Sequence, residues 1–296
     1  VAGRDVNSEK RDSMQEIIAV IFDFDETLAP DTTWGFLEHW GADPPAFWRE
    51  KVDPLVAEGW DPIPAYLYTM IEASRASSVR ERITKSRLAG YGKLVRLYDG
   101  VTRIFGKLAR QAQSVYPDAS LEFYVVSSGL RDILLNTRIS RNFTRIWSCD
   151  FFYHHETGEI LFPKNIISFT DKTRYLFQIS KGFVGPEYDN RPFEVNRRVP
   201  AEKLRIPFNQ MIYVGDGYTD IPCFSLILKQ RGIAIGVYDS QRREKWRQAW
   251  EFIEEGRVSN LVPADYSKNS ALEQSLLMAV TKMANDIALR RRTYQG

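Results

Sequence analysis

Ile17-Ile18-Ala19-Val20-Ile21-Phe22-Asp23-Phe24-Asp25-Glu26-Thr27-Leu28 is the stretch on which the fold turns. Six apolar residues in a row leave no wet face, so residues 17–22 are expected to form a strand buried on both sides, as central strands of parallel sheets are. Open parallel sheets bind ligands beyond the carboxyl ends of their strands. The residues that follow each apolar run therefore carry the chemistry. Asp23 and Asp25, two apart on a chain leaving a strand, can both turn toward one ligand. Taken by themselves they fit a solvated acidic turn equally well.

Outward from this run, residues 121–126 (Leu-Glu-Phe-Tyr-Val-Val), 211–214 and 232–237 have the same character, and 259–262 is expected to be a short fifth strand. Helical patterns lie at 101–113, 130–138, 172–180, 220–230 and 242–250. A last helix is expected from Ser270, which stands at capping-box spacing from Glu273, to about residue 290. Strands alternating with helices predict an α/β fold: βαβ crossovers and a Rossmann-like parallel sheet covered on both faces. Residues 31–98 break the alternation. They hold no apolar strand run, their apolar residues recur at helical spacing (Trp34, Leu37, Trp40; Tyr66, Leu67, Met70, Ile71), and prolines punctuate them at 44, 45, 54, 62 and 64. The expected organisation is a polar tail over 1–16, a core of 17–30 and 99–296, and an all-helical insertion over 31–98. A β-hairpin is expected over 147–162, and a long surface excursion over 183–208.

Composition narrows the classes. With 44% hydrophobic and 26% charged residues the 296-residue chain reads as globular, large enough for one main core and an accessory domain. Its 40 basic and 38 acidic residues nearly cancel, so no global field favours nucleic acid or an anionic membrane; an anionic ligand must be captured locally. Cys149 and Cys223 are too few for a disulfide framework or a zinc motif, and three histidines make a histidine-rich metal site unexpected. The polar first sixteen residues lack an apolar signal region, and no apolar run reaches membrane-span length, so a cytoplasmic protein is expected. The chain opens on Val1 rather than Met, which fits a start inside a longer product; Met14 is another plausible start.

Three further motifs follow the later runs. After 121–126 comes Ser127-Ser128-Gly129, read as opening a helix: a hydroxyl and two amides suited to a phosphate, or a plain helix cap. Thr170-Asp171-Lys172-Thr173-Arg174 starts another helix, with Lys172 a compact charge for an anion and Arg174 its competitor. After 211–214 comes Gly215-Asp216-Gly217-Tyr218-Thr219-Asp220, an acidic turn flanked by glycines. Each signal alone is modest.

In this order and context, the set resembles the haloacid dehalogenase superfamily of phosphohydrolases. Their motifs are an Asp-x-Asp-x-Thr strand end, a Ser/Thr, a Lys and an acidic Gly-Asp-x-x-x-Asp segment. The helical insertion between the first two motifs resembles the C1-type cap of the phosphoserine-phosphatase-like branch. The resemblance implies Asp23 as nucleophile, forming an aspartyl-phosphate, and Asp25 as general acid and base. It implies Mg²⁺ on Asp23, the backbone carbonyl of Asp25, and Asp216, with Asp220 fixing Lys172 or a metal-bound water. Ser127, the amides of Ser128 and Gly129, and Lys172 are implied as phosphoryl holders. The second aspartate, absent from the superfamily's dehalogenases, implies phosphate ester chemistry on a small phosphorylated metabolite. A phosphotransferase or phosphomutase using the same nucleophile, or a non-catalytic binding protein of the same fold, are the alternatives. In the insertion, Trp34, Phe36, Trp40, Phe47, Trp48, Trp60, Tyr66 and Tyr68 either line a pocket or, for the majority, pack the cap's own core.

Overall fold

The computed structural model describes residues 16–240 and 256–293. Strand β1 (Ile17–Phe22) is buried at every position, as its unbroken apolar run demands. The chain then passes through helices alone: α1 (Thr32–Trp40), α2 (Pro44–Phe47), a π-helical turn (Trp48–Val52), α3 (Asp53–Ala57), α4 (Pro62–Ala76) and α5 (Lys85–Gly92). The punctuation of this segment has a physical reason. Asp31, Asp43, Asp61 and Thr84 cap α1, α2, α4 and α5, their side chains accepting from Trp34, Ala46, Ile63 and Arg87 N–H groups. Pro44 and Pro62 sit in first turns, where a missing N–H is harmless.

The core resumes with α6 (Val101–Val115), β2 (Ser120–Leu130), the short α7 (Arg131–Leu134), the hairpin β3 (Arg145–Tyr153) and β4 (Ile160–Asn165), and α8 (Asp171–Lys181). There follow β5 (Met211–Gly215), α9 (Ile221–Lys229), β6 (Ile233–Tyr238), β7 (Asn260–Pro263) and α10 (Ala271–Thr293). The described residues form a seven-stranded sheet in the order β4-β3-β2-β1-β5-β6-β7, parallel except for the β3–β4 pair. The chain leaves β1 first toward β2 and later reaches β5 on its other side, so the order reverses at β1, where such sheets hold ligands. Phe22 packs against Phe105 of α6 and Tyr266 on one face, while Tyr213 of β5 meets Phe224 of α9 edge-on.

The structure corrects two expectations. The helix expected over 130–138 is only Arg131–Leu134, and Ser127-Ser128-Gly129 lies inside β2, whose pairing with β3 continues past a register shift to Leu130↔Cys149. The hairpin expected over 147–162 is formed by β3 and β4, and because β3 also pairs in parallel with β2 it extends the sheet. Residues 183–208 hold isolated 3-10 turns, in line with a surface excursion. The helix expected at 242–250 lies outside the described residues, as do Met14 and, of the tail expected over 1–16, residues 1–15. Arg290 and Arg291 bind Gln210 and Glu16 of the core. Among the described residues no helix is long and apolar enough to cross a membrane.

The insertion is tied to the hairpin by backbone hydrogen bonds, Ile160 N–H to Ile83 O at 3.1 Å and Lys85 N–H to Gly158 O at 2.9 Å, with Arg82 and Glu159 paired at 2.7 Å beside them. His154 closes the hairpin turn, its Nδ1 accepting from Glu156 and Thr157.

At the start of α10, Glu273 N–H donates to Ser270 Oγ, and the Glu273 carboxylate takes Asn269 N–H at 2.7 Å and Lys107 Nζ at 2.6 Å. Although burial acts to raise its pKa, these partners hold it below the ordinary 4.5. A depressed folded pKa stabilises above the unfolded value, and that stability disappears as pH falls through the folded one. Glu273→Gln is therefore expected to cost about 1 kcal/mol at pH 7 and progressively less as the pH falls and the wild-type carboxyl becomes protonated, read by urea unfolding at neutral and acid pH.

Candidate active site

Asp23 leaves β1 while still bound to the sheet: its N–H donates to Val214 O at 2.9 Å, and its Oδ1 accepts Phe24 N–H at 2.6 Å. The ladder thus aims the carboxylate out of the strand end. Lys172, in the first turn of α8, is completely buried; its Nζ donates to Asp23 Oδ2 and to Asp220 Oδ1, each at 2.7 Å. Asp220 is fixed in turn by the Tyr213 hydroxyl on Oδ1 at 2.7 Å and by Gly217 N–H on Oδ2 at 3.2 Å. Gly215 makes this possible, since a Cβ there would stand 2.4 Å from Asp220 Oδ2.

Burial dominates the electrostatics. It pushes Asp23 up to about 6 against the pull of the Lys172 ammonium, with Asp220 adding to the rise. Burial also opposes the charge on Lys172, but Asp220 and Asp23 together outweigh it and drive its pKa up, so the lysine stays protonated. The Tyr213 hydroxyl, raised by burial and then by Asp220, remains a donor.

Carboxylate oxygens of Asp23, Asp216 and Asp220 lie within 4.8 Å of one another. Of these three carboxylates, Asp23 and Asp220 share the ammonium of Lys172. Three carboxylate oxygens this close together, an all-oxygen set, fit a hard divalent cation such as Mg²⁺. Lys172, Tyr213 and Gly217 already engage both Asp220 oxygens, which makes Asp220 the support behind Asp23 and Asp216.

Asp25 follows Asp23 by two residues. Its Oδ1 accepts the N–H of Thr32, the first residue of α1, at 2.7 Å. Desolvation, then the nearby Asp31 charge, push its pKa well above the ordinary carboxylate value even against the Thr32 bonds, which favours the protonated acid. Gly129 packs directly on it, for a Cβ on Gly129 would lie 2.4 Å from Asp25 Oδ2. Through Gly129 the end of β2 joins the site: Gly129 N–H donates to the buried Ser127 Oγ at 3.0 Å, and the Tyr66 hydroxyl of α4 donates to Ser128 O at 2.6 Å. The Gly129 amide therefore points at Ser127, not at open space as a helix-opening reading of this motif expects. Among the described residues the Ser128 hydroxyl has no partner.

The structure thus brings Asp23, Lys172, Asp216 and Asp220 into one cluster, with Asp25, Ser127, Ser128 and Gly129 beside it. Arg174, the competitor of Lys172, lies over the Tyr175 ring and donates to its hydroxyl. No local pattern marks Tyr213, a phenol inside an apolar strand, or Glu26. The latter is buried at a left-handed φ of 56°, its carboxylate accepting from Asp31 N–H and Tyr98 OH at 3.3 Å each. Of the insertion's aromatics, Trp34, Trp48 and Tyr66 stack in series, with centroids 5.8 and 6.1 Å apart.

No protein-family model matches the chain. An uncharacterised protein of Borreliella burgdorferi is 30% identical over 293 residues, covering 87% of this chain and 94% of its own. Among solved structures, a haloacid dehalogenase family hydrolase of Salmonella enterica serovar Typhi superposes with a TM-score of 0.58 at 11% identity, over 90% of this chain and 71% of its own. A phosphoserine phosphatase carrying an analogue of its phospho-aspartyl intermediate gives 0.51 at 13% identity, over 88% of this chain and 97% of its own. A probable phosphoserine phosphatase of Vibrio cholerae gives 0.53 at 11%, over 93% and 68%.

Proposed function

We propose that this chain, which belongs to one family with the Borreliella burgdorferi protein and has the haloacid dehalogenase fold in its phosphoserine-phosphatase-like form, is a phosphomonoester hydrolase working through a covalent phosphoryl group on Asp23. The observation that supports it best is the buried triad: one ammonium held at 2.7 Å from both Asp23 and Asp220, beside the Asp216 carboxylate. A structural core has no use for such a charge cluster at the strand ends. A carboxylate that must approach a phosphate dianion does, because the two anions repel unless cations stand between them.

In this reading Asp23 attacks phosphorus as its carboxylate, the form favoured above about pH 6. The bond to the leaving oxygen breaks as that oxygen takes the proton of Asp25. Asp25, now a carboxylate, removes a proton from water as the water attacks the acyl phosphate; phosphate leaves and both aspartates return to their starting forms. Lys172 and the Ser127 hydroxyl hold phosphoryl oxygens. Mg²⁺, held by Asp23, Asp216 and the backbone carbonyl of Asp25, would supply the remaining neutralisation of charge. Residues 31–98 act as the cap that keeps bulk water out during transfer, over a core of 17–30 and 99–296. A cytoplasmic setting belongs to the same reading, in which both buried cysteines are free thiols.

The test is a panel of phosphate monoesters with Mg²⁺ and Asp23→Asn as the blank. Phosphate release by the wild type alone, stopped by chelation, is expected; a folded wild type inert on the whole panel contradicts the reading. Asp25→Asn is expected to slow alkyl phosphates by about a hundredfold or more and aryl phosphates far less, because a good leaving group needs little help from an acid. Equal losses for both would remove Asp25 from that role. Gly129→Ala forces a methyl onto Asp25 Oδ2 and is expected to lower kcat about a hundredfold, since misplacing a reacting group by about 1 Å costs that much; a wild-type kcat would show that Asp25 need not stay where it is.

A further inference from the structure

The peptide group between Ser128 and Gly129 is hydrogen-bonded at both ends. Its carbonyl accepts from the Tyr66 hydroxyl at 2.6 Å, and its N–H donates to Ser127 Oγ at 3.0 Å. The bonds run in one direction, phenol hydrogen to carbonyl oxygen and amide hydrogen to serine oxygen, so each polarises the next. A serine oxygen that accepts keeps its own hydrogen to give elsewhere. Among the described residues no acceptor for the Ser127 hydroxyl hydrogen is present, although the side chain is 1% exposed. Gly129 of the same peptide lies against Asp25, so the chain of bonds ends in the reacting cluster.

Tyr66 comes from a different part of the molecule. It stands on α4, in the helical insertion, with 5% of its surface exposed and its ring stacked on Trp48 at 22°. Burial, then Cys149 and Asp25, raise its pKa far above the ordinary phenol value, which keeps the hydroxyl a donor.

We infer that Tyr66 is a positioning residue that acts through the Ser128–Gly129 peptide: by holding the carbonyl it aims the amide at Ser127 and leaves the Ser127 hydroxyl hydrogen for a phosphoryl oxygen. This deepens the phosphatase reading and rests on it. The alignment exists only while α4 is seated on the end of β2, so seating the insertion and completing the phosphoryl contact are one event. An insertion swung away from β2 leaves the peptide free to turn and Ser127 free to donate elsewhere. Tyr66 touches neither the phosphoryl group nor Asp23; its effect is carried entirely by Ser127.

The test is a double-mutant cycle with Tyr66→Phe, which deletes the donor and keeps the ring, and Ser127→Ala. It is read in kcat, in KM and in the dissociation constant of inorganic phosphate. Tyr66→Phe is expected to lower kcat and weaken phosphate binding by about tenfold, equally for good and poor leaving groups, with a melting temperature close to wild type. In the Ser127→Ala background the same change is expected to cost nothing further, because the hydroxyl it positions is gone. Fully additive losses, wild-type kinetics, or a Tyr66→Phe chain that no longer folds each overturn the inference; the last makes the hydroxyl structural. A wild type that binds phosphate but turns over no ester overturns the phosphatase reading alone, and the cycle on phosphate binding still decides the role of Tyr66.

Discussion

Asp23→Asn is expected to abolish phosphate release, by more than about a thousandfold, while leaving the fold and the melting temperature close to wild type. The amide has nearly the volume of the carboxylate, and its oxygen can still accept from Phe24 N–H or from Lys172. Lys172 keeps the charge of Asp220 at 2.7 Å, so no unpaired ion is left in the interior. What disappears is the attacking electron pair of the carboxylate. Circular dichroism on melting and phosphate release from the same preparation separate the two effects. Wild-type release from a folded Asp23→Asn chain would mean that the nucleophile lies elsewhere.

Lys172→Met acts on both stability and turnover. Removing the ammonium leaves Asp23, 6% exposed, facing Asp220, 0% exposed, with no counter-charge between them. Breaking a buried ionic network from one side costs about 3–5 kcal/mol. The loss is expected in urea unfolding at pH 7 and should shrink in acid. Without the lysine, Asp23, which burial already pushes up to about 6, loses the charge that pulled it down, so the folded state holds its proton over a wider pH range and regains stability relative to wild type as pH falls. Adding Asp220→Asn should recover part of the stability, because it removes the like charge, and none of the turnover. A Lys172→Met chain with wild-type stability would show that the triad is not a closed charge network; wild-type turnover would remove Lys172 from the chemistry.

Much of this was legible residue by residue. The run at 17–22 is apolar without alternation, and only a central strand asks for that. The prolines of the insertion, read as punctuation, stand at helix starts. At the end of β2 composition and hydrogen bonding part company: the apolar run stops at Val126, but the ladder to β3 continues through small polar residues. The hairpin's place in the sheet is likewise not written in its composition. Its aromatics alternate, which describes the exposed Phe152 and Phe162 facing solvent but says nothing of the parallel edge that β3 shares with β2. Lys172 and Arg174 are indistinguishable as letters; two positions apart on α8 they face different ways, one into the core and one onto Tyr175. Tyr66 and Tyr213 reach across from other elements to touch Ser128 and Asp220, and such long-range partners leave no local pattern.

The claim on which the mechanism depends is that the phosphoryl group rests on Asp23 between its two transfers. Rapid quenching of the enzyme in acid during turnover, followed by peptide mass spectrometry, reads this directly. The account predicts one phosphoryl group on the peptide that carries Asp23 and none in Asp23→Asn. A turning-over enzyme that never carries phosphate there, or carries it on another residue, would contradict it.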